Sequence, residues 1–123
     1  MQRSTRQRDA IRTVLQAAQR PLSAGEVLVG TREAVATVGI ATVYRNLKLL
    51  VEAGEVEAVT LPGGNPHYEM AQLGHHHHFQ CTACDRVFDV PECRSDLKKL
   101  LPRGFTMDRH ELVLYGRCAA CAT

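Results

Sequence analysis

Two cysteine pairs with the same spacing stand in the second half of the chain. Cys81 and Cys84 form the first Cys-x-x-Cys pair, and Cys118 and Cys121 form the second. One such pair alone would also fit a redox dithiol, but two pairs in one short unit indicate a metal site. Four soft thiolates suit tetrahedral Zn²⁺ and leave no open position, so we expect a structural zinc site. Cys93 belongs to neither pair, and we expect a buried or free thiol there.

Four consecutive histidines, His75–His78, lead directly into the first cysteine pair. Because side chains alternate between the faces of a strand, His75 and His77 would point one way and His76 and His78 the other. One strand would then supply two imidazoles to each of two sites. Further nitrogen and oxygen ligands are available at His67, Glu69, Asp89, Asp96, His110 and Glu111. Such ligands suit Zn²⁺, Fe²⁺ or Mn²⁺.

Charge is distributed unevenly along an otherwise ordinary composition. The 123 residues carry a net charge of +2, with eight Lys/Arg against four Asp/Glu in 1–53 and seven against nine in 54–123. A basic first half suits a polyanion, and an acidic, His/Cys-rich second half suits cations. No apolar run reaches the ~18 residues that span a bilayer, and the N-terminus is polar. We therefore expect a cytoplasmic protein with no membrane partner.

The sequence argues against an enzyme. It has no His-Glu-x-x-His, no His-x-Glu paired with Pro-Cys-x-x-Cys, and no nucleophile elbow. A chain this short also leaves little room for a substrate pocket. We therefore expect no catalytic residues and no small-molecule substrate. One alternative that remains open is a metal-buffering protein that does not bind DNA.

The first half has the pattern of a winged helix-turn-helix domain. Helical spacing of apolar residues predicts one helix over 4–20 that Pro21 ends, and a second helix from Ser23, whose side chain forms a capping box with Glu26. A third helix is predicted from Ile40, with Gly54 at its C-terminal cap. Two short strands on either side of the turn at 62–66 complete the pattern as a hairpin, or wing.

The second half changes pattern after a plausible linker at 71–74. Strand-like segments cover 75–81 and 86–90, a short helix is predicted after Pro91, and a long strand is predicted over 105–118. The overall expectation is an α+β protein with a winged helix-turn-helix domain at 1–70, a hinge linker at 71–74 and a small α/β domain at 75–123. A unit of that size folds poorly without a metal or a partner chain.

Four segments together resemble the Fur (ferric uptake regulator) family of bacterial metal-dependent repressors. They are "GIATVYRNLKLLVEAG", "HYE", "HHHHFQCTAC" and "RHELVLYGRCAAC". The resemblance implies a homodimer built on the second-half dimerisation domain and a palindromic double-stranded DNA operator. It also implies a regulatory metal at the hinge that closes the dimer onto that operator and shuts off metal-uptake genes.

The resemblance also implies roles for individual residues. The four paired cysteines match the structural zinc ligands. The hinge regulatory site matches Glu69, His76, His78 and Asp89, and a site within the dimerisation domain matches His75, His77, Asp96 and His110. The DNA-reading face of the third helix matches Ala41, Thr42, Tyr44 and Arg45. Lys48, on the same helix, is expected to contact phosphates or guanines with Arg45.

One departure from the family pattern concerns the hinge site. Many members supply a His just before the second helix, but this chain has Pro21 there. His67, two residues before Glu69 on the same strand face, is the expected replacement. The missing His weakens the alternative of a peroxide-responsive regulator, whose chemistry in the family depends on it. The regulatory metal is expected to be Fe²⁺ or Zn²⁺, and Mn²⁺ also fits the ligands.

Overall fold

A computed structural model describes residues 3–71, 76–90 and 95–122. The chain forms two compact units, Met1–Leu73 and Gly74–Thr123, here called the N-terminal and C-terminal units. Most of the predicted hinge linker, at 72–74, lies outside the described residues, as do His75 and Cys93. None of the described helices is long and apolar enough to cross a bilayer.

Three helices and a short strand begin the N-terminal unit. They are α1 (Arg3–Ala18), β1 (Leu22–Ser23), α2 (Ala24–Thr31) and α3 (Ile40–Glu52). Helix α1 ends where Gln19 turns to a positive φ of 55°, two residues before Pro21. The capping box predicted for α2 is confirmed, because the Ser23 hydroxyl accepts from the Glu26 N–H and the Glu26 carboxylate accepts from the Ser23 N–H.

Helix α3 is amphipathic and ends at a glycine. The apolar stripe predicted for this helix comprises Ile40, Val43, Leu47, Leu50 and Val51. Val43, Leu47 and Leu50 are at most 1 % exposed and pack in the core of the three helices, Val51 packs against that core partly buried, and Ile40 is 42 % exposed. Gly54 has a φ of 78° and donates to the Val51 carbonyl, while the next N–H donates to Leu50. This is a Schellman cap, in which only glycine adopts the left-handed conformation without cost.

The wing is a three-stranded antiparallel sheet rather than a two-stranded hairpin. Its strands are β2 (Val56–Val59) and β3 (His67–Met70), and the sheet order is β1-β3-β2. Strand β1 was not predicted, because two residues are too few to show an alternating pattern. It pairs Ser23 with His67, so the N-terminus of α2 is hydrogen-bonded to the strand that carries His67 and Glu69.

The C-terminal unit contains a second three-stranded sheet with the order β5-β4-β6. Its elements are β4 (His77–Cys81), β5 (Val87–Val90), a 3₁₀ helix (Ser95–Leu100) and β6 (Val113–Gly116). Strand β4 pairs antiparallel with β5 and parallel with β6. The long strand predicted over 105–118 was wrong in length, because β6 pairs with β4 only from Val113, opposite His78, to Gly116, opposite Cys81. The Leu112 carbonyl still accepts from the His78 N–H at 3.3 Å, but the residues from 105 to 112 are not in a strand.

One glycine position controls how α1 and α2 pack. A Cβ on Gly30 would lie 2.9 Å and 3.1 Å from the two methyl carbons of Val14. A β-branched side chain in a helix has little rotamer freedom, so Val14 cannot move away easily.

We predict that Gly30→Ala lowers the free energy of unfolding by about 1–2 kcal/mol, because the overpacking outweighs alanine's better helix propensity. Gly25→Ala in the same helix is the matched control, since its nearest neighbour would be the Ser23 hydroxyl at 3.9 Å. Urea unfolding measures both variants. Equal stabilities for the two variants would contradict the close approach of the helices, and adding Val14→Ala to Gly30→Ala should recover stability.

The Glu26 carboxylate gives the N-terminal unit a pH dependence. Burial raises the pKa of Glu26, but hydrogen bonds from Arg20 and from the Ser23 N–H outweigh it and hold the pKa below its usual range. A carboxyl whose pKa is lower in the folded state adds stability above its unfolded pKa, and this stability is lost as pH falls through the folded pKa.

We predict that Glu26→Gln, which keeps the cap but loses the charge facing Arg20, costs about 1 kcal/mol at neutral pH. The difference from the wild type should vanish as pH falls below the carboxyl range, where Glu26 is itself neutral. Urea unfolding across that pH range measures it. A difference that persists at acid pH would show that charge is not its cause.

Candidate metal centres

The parallel pairing of β4 with β6 brings the two cysteine pairs together. Cys81 ends β4 and lies opposite Gly116 of β6, so Cys118 follows two residues beyond that pairing. The four sulfurs of Cys81, Cys84, Cys118 and Cys121 lie within 4.8 Å of one another, as the two Cys-x-x-Cys pairs predict. Cys81 is fully buried and Cys118 is 8 % exposed. Such a set of four thiols suits a tetrahedral Zn²⁺ ion with no open position.

Backbone N–H groups prepare this cluster for negative charge. The N–H groups of Cys84 and Cys118 each donate to the Cys81 sulfur at 3.4 Å. These hydrogen bonds lower the pKa of Cys81 to about 6, and the bond from Cys118 has the largest effect. Hydrogen bonding with the Cys118 sulfur and then with the other two raises the pKa of Cys121 to about 12. The protein alone therefore favours a thiolate at Cys81 and a protonated thiol at Cys121, so binding a cation at Cys121 would release a proton.

Strand β4 carries a second ligand pair on its buried face. His77 is 2 % exposed, and its Nε2 lies 3.2 Å from Nε2 of His110. Two nitrogens bound about 2.0–2.1 Å from one tetrahedral ion stand about 3.3 Å apart, so the observed spacing suits a shared metal. The two other residues assigned to this site, His75 and the side chain of Asp96, lie outside the described part of the chain.

The opposite face of β4 carries a third ligand set. His76, which precedes β4, and His78 approach the same carboxylate oxygen of Asp89, with Nε2–Oδ1 distances of 3.4 Å and 3.5 Å. Asp89 lies on β5 directly across from His78. The ligand atoms of all three residues lie within 4.8 Å of one another. The predicted alternation therefore holds from His76 to His78, with a two-nitrogen, one-oxygen set on this face.

In the N-terminal unit, strand β3 carries the remaining expected ligands, His67 and Glu69. Both are buried, at 6 % and 3 % exposed, and the residues between and after them are half-buried. The Nδ1 of His67 lies 2.8 Å from the Asn65 carbonyl, which can only accept, so Nδ1 carries the proton. In the neutral ring this leaves the lone pair on Nε2, as in metal-binding histidines that donate their other N–H to a carbonyl.

The outer face of α3 carries the expected DNA-contacting residues. Ala41, Arg45 and Lys48 are exposed, Tyr44 is 52 % exposed, and Thr42 is half-buried. Arg45 donates from Nη2 to the Thr42 hydroxyl at 3.2 Å. The sequence did not single out Asn46, a buried amide on the inward side of the same helix. The available signal was a polar residue inside an otherwise apolar stripe.

Comparison with known proteins identifies the family. The model of the Ferric uptake regulator family matches residues 2–115. The chain belongs to this family. The ferric uptake regulation protein of Bacillus subtilis (strain 168) is 32% identical over 124 residues, which cover 95% of this chain and 83% of that protein. The family consists of metal-responsive regulators rather than enzymes.

Solved structures of Fur-family proteins share the fold. A zinc-bound manganese uptake regulator superposes with a TM-score of 0.80 at 27% identity, covering 95% of this chain and 91% of that one. The ferric uptake regulator from Francisella tularensis with iron gives a TM-score of 0.72 at 26% identity, covering 94% and 90%. The predicted α+β fold and the family resemblance are thus confirmed.

We predict that Cys118→Ser in this Fur-family chain lowers the bound zinc to well below one ion per chain and melts the C-terminal unit at a lower temperature. The reason is that the substitution removes one of four thiolates and weakens the cross-link between the ends of β4 and β6. Cys93→Ser, which removes a thiol outside both pairs, is the matched control. Elemental analysis after dialysis and thermal denaturation measure both. Full zinc content in Cys118→Ser would rule out the four-sulfur site.

Proposed function

We propose that this Fur-family protein is a metal-responsive transcriptional repressor. It would bind palindromic operators as a metal-loaded homodimer and control genes of metal homeostasis. The observation that carries the proposal is the ligand set of His76, His78 and Asp89, three half-buried side chains converging within 4.8 Å. That set is separate from the four cysteines, so one chain offers both a closed structural site and a second site that can fill or empty.

The N-terminal unit supplies the proposed DNA-binding surface. In the winged-helix arrangement α3 enters the major groove and the wing lies near the backbone. Arg45 and Lys48 offer donors for guanines and phosphates, while Thr42 and Tyr44 offer contacts to thymine methyl groups. The exposure of these side chains in the structure supports the proposal.

The cysteine cluster has the proposed role of stabilising the C-terminal unit with zinc. When bound, zinc would neutralise the charge of the four thiolates and cross-link the ends of β4 and β6. The residues fit this ion because their sulfurs are already gathered and two N–H groups point at Cys81. Dimerisation through this unit is part of the same proposal.

We propose that His67 and Glu69 of the wing complete the regulatory site with His76, His78 and Asp89. Support comes from the buried positions of His67 and Glu69 and from the protonated Nδ1 of His67, which leaves Nε2 for a ligand bond. The second site, with His75, His77, Asp96 and His110, is proposed on the Nε2–Nε2 spacing of His77 and His110.

Ligands drawn from two units of one chain explain how metal would control DNA binding. His67 and Glu69 could bind the same metal ion as His76 and His78 only in conformations that hold the two units in one orientation. Metal binding then shifts the population toward that orientation, by as much as its affinity for the two forms differs. A differential affinity of about 5.5 kcal/mol is enough to turn a 1:99 population into 99:1.

The nitrogen and oxygen ligands restrict the sensed metal without naming one. The proposed ion is Fe²⁺ or Zn²⁺, and Mn²⁺ also accepts such ligands. Among the structural relatives, the manganese uptake regulator is bound to zinc and the Francisella protein to iron. The ligand set therefore does not identify the sensed ion, and a titration of DNA binding with each metal is needed to identify it.

We predict that Asp89→Asn weakens metal-dependent operator binding by at least about tenfold, because it removes the carboxylate that His76 and His78 share. Asp108→Asn, at an exposed position of the same unit, is the matched control. The operator is selected from a random DNA pool by the metal-loaded wild type. DNA binding is then titrated with Fe²⁺, Zn²⁺ and Mn²⁺ in parallel.

The proposal fails if the selected DNA binds equally well with and without every metal. It also fails for this site if Asp89→Asn responds to metal as the wild type and Asp108→Asn do. A protein that binds metal but selects no DNA sequence would instead be the metal-buffering alternative.

A further inference from the structure

Helix α3 carries one polar side chain on its buried face. Asn46 is 3 % exposed, and an amide left unsatisfied at such a position would cost about 1–3 kcal/mol. Both of its ends are satisfied. Its Nδ2 donates to the Thr42 carbonyl at 2.9 Å, and its Oδ1 accepts from Nε of Arg8 on α1 at 3.2 Å. The amide therefore connects the first helix to the third.

This bond holds the base of the Arg8 guanidinium and leaves its outer edge available. Within the described part of the chain, Nε is the group of Arg8 that makes a hydrogen bond, and Nη1 and Nη2 make neither hydrogen bonds nor ion pairs. A planar guanidinium fixed at one edge presents its remaining donors in a geometry that matches phosphate oxygens.

Arg12, one turn further along α1, is in the opposite situation. Its Nε and Nη2 bind the two carboxylate oxygens of Glu55 at 2.8 Å and 3.1 Å, and its Nη1 binds Asp9. The charge of Arg8 also acts on Glu55 and lowers its pKa, but Arg12 contributes more and occupies both oxygens. Arg12 thus uses Nε, Nη1 and Nη2 for bonds within the fold, whereas Arg8 uses Nε alone.

The hydrogen bonds also place Arg8 beside the proposed DNA-reading residues. Asn46 donates to the carbonyl of Thr42, and the hydroxyl of Thr42 accepts from Arg45. Arg8, which is half-buried, therefore lies one residue contact away from Thr42, whose hydroxyl also accepts from Arg45. A cation at the edge of a recognition helix is close to the DNA backbone rather than to the bases.

We propose that Arg8 binds a DNA phosphate from the first helix, positioned beside the recognition helix by its hydrogen bond to Asn46. The inference rests on the proposed DNA-binding function and adds a residue from a different helix to that interface. A phosphate contact contributes affinity and orientation but no sequence preference. It therefore has a signature that a purely structural arginine lacks, namely a contribution to the salt dependence of binding.

The test measures binding of the metal-loaded protein to a random-sequence duplex of about three helical turns by fluorescence anisotropy. Salt is varied between about 50 and 200 mM. We expect Arg8→Gln to reduce the slope of log K against log salt by about 0.9 for each phosphate that is no longer neutralised, or about 1.8 for a dimer. Arg8→Lys, which keeps a charge within reach of the phosphate, should recover most of the slope.

Arg12→Gln is the matched control, because it removes the same charge from the same helix. We expect its slope to equal that of the wild type, since its guanidinium already faces two carboxylates. Circular dichroism confirms that each variant is folded. A wild-type slope in Arg8→Gln would overturn the role of Arg8 at the phosphate. If the wild type itself bound DNA with no salt dependence, the proposed DNA-binding function would fail instead.

Discussion

Neighbouring side chains of a β-strand point to opposite faces, and this constraint organises the metal chemistry of the C-terminal unit. Strand β4 sends His77 to the buried face, where His110 meets it, and leaves His76 and His78 to share Asp89 on the other. The same strand ends at Cys81, in the sulfur cluster. One short segment thus contributes to three sets of ligands that cannot exchange members without a change of strand register.

The sulfur cluster matters because the C-terminal unit has little else in its core. Among the described residues of this unit, the buried apolar side chains are Cys81, Val87 and Cys118, and two of these belong to the cluster. A unit of about 50 residues with so small a core needs a metal or a partner chain to fold stably. The N-terminal unit, in contrast, has a continuous core from three helices and β2. We therefore expect the C-terminal unit, unlike the N-terminal one, to depend on zinc or on a partner chain for its stability.

Much of this arrangement could be predicted because the decisive signals are local. The capping box of Ser23 and Glu26, the glycine cap after α3 and the alternation through His78 depend on residues a few positions apart. The two Cys-x-x-Cys pairs are predicted to lie close together, because four thiolates suit one metal ion. The features that escaped prediction depend on tertiary contacts. Strand β1 exists only because β3 lies beside it, and β6 is limited to the residues that pair with β4.

Arg8 and Asn46 illustrate the same limit at the proposed DNA surface. From sequence, Arg8 and Arg12 are equivalent arginines of a basic helix, and only the positions of Glu55 and Asn46 distinguish them. The alternation in β4 likewise predicts which histidines share a face, but not that Asp89 is their common partner. Spacing along the chain identifies the ligands, and the packing of other elements decides which side chains remain available for a partner.

X-ray absorption spectroscopy tests the separation of the metal sites most directly. The protein is prepared with one zinc ion per chain and one equivalent of Fe²⁺, and each metal is measured at its own absorption edge. The account predicts four sulfur neighbours at about 2.3 Å around zinc and only nitrogen and oxygen neighbours around iron. Sulfur in the iron shell, or imidazole in the zinc shell, would contradict it.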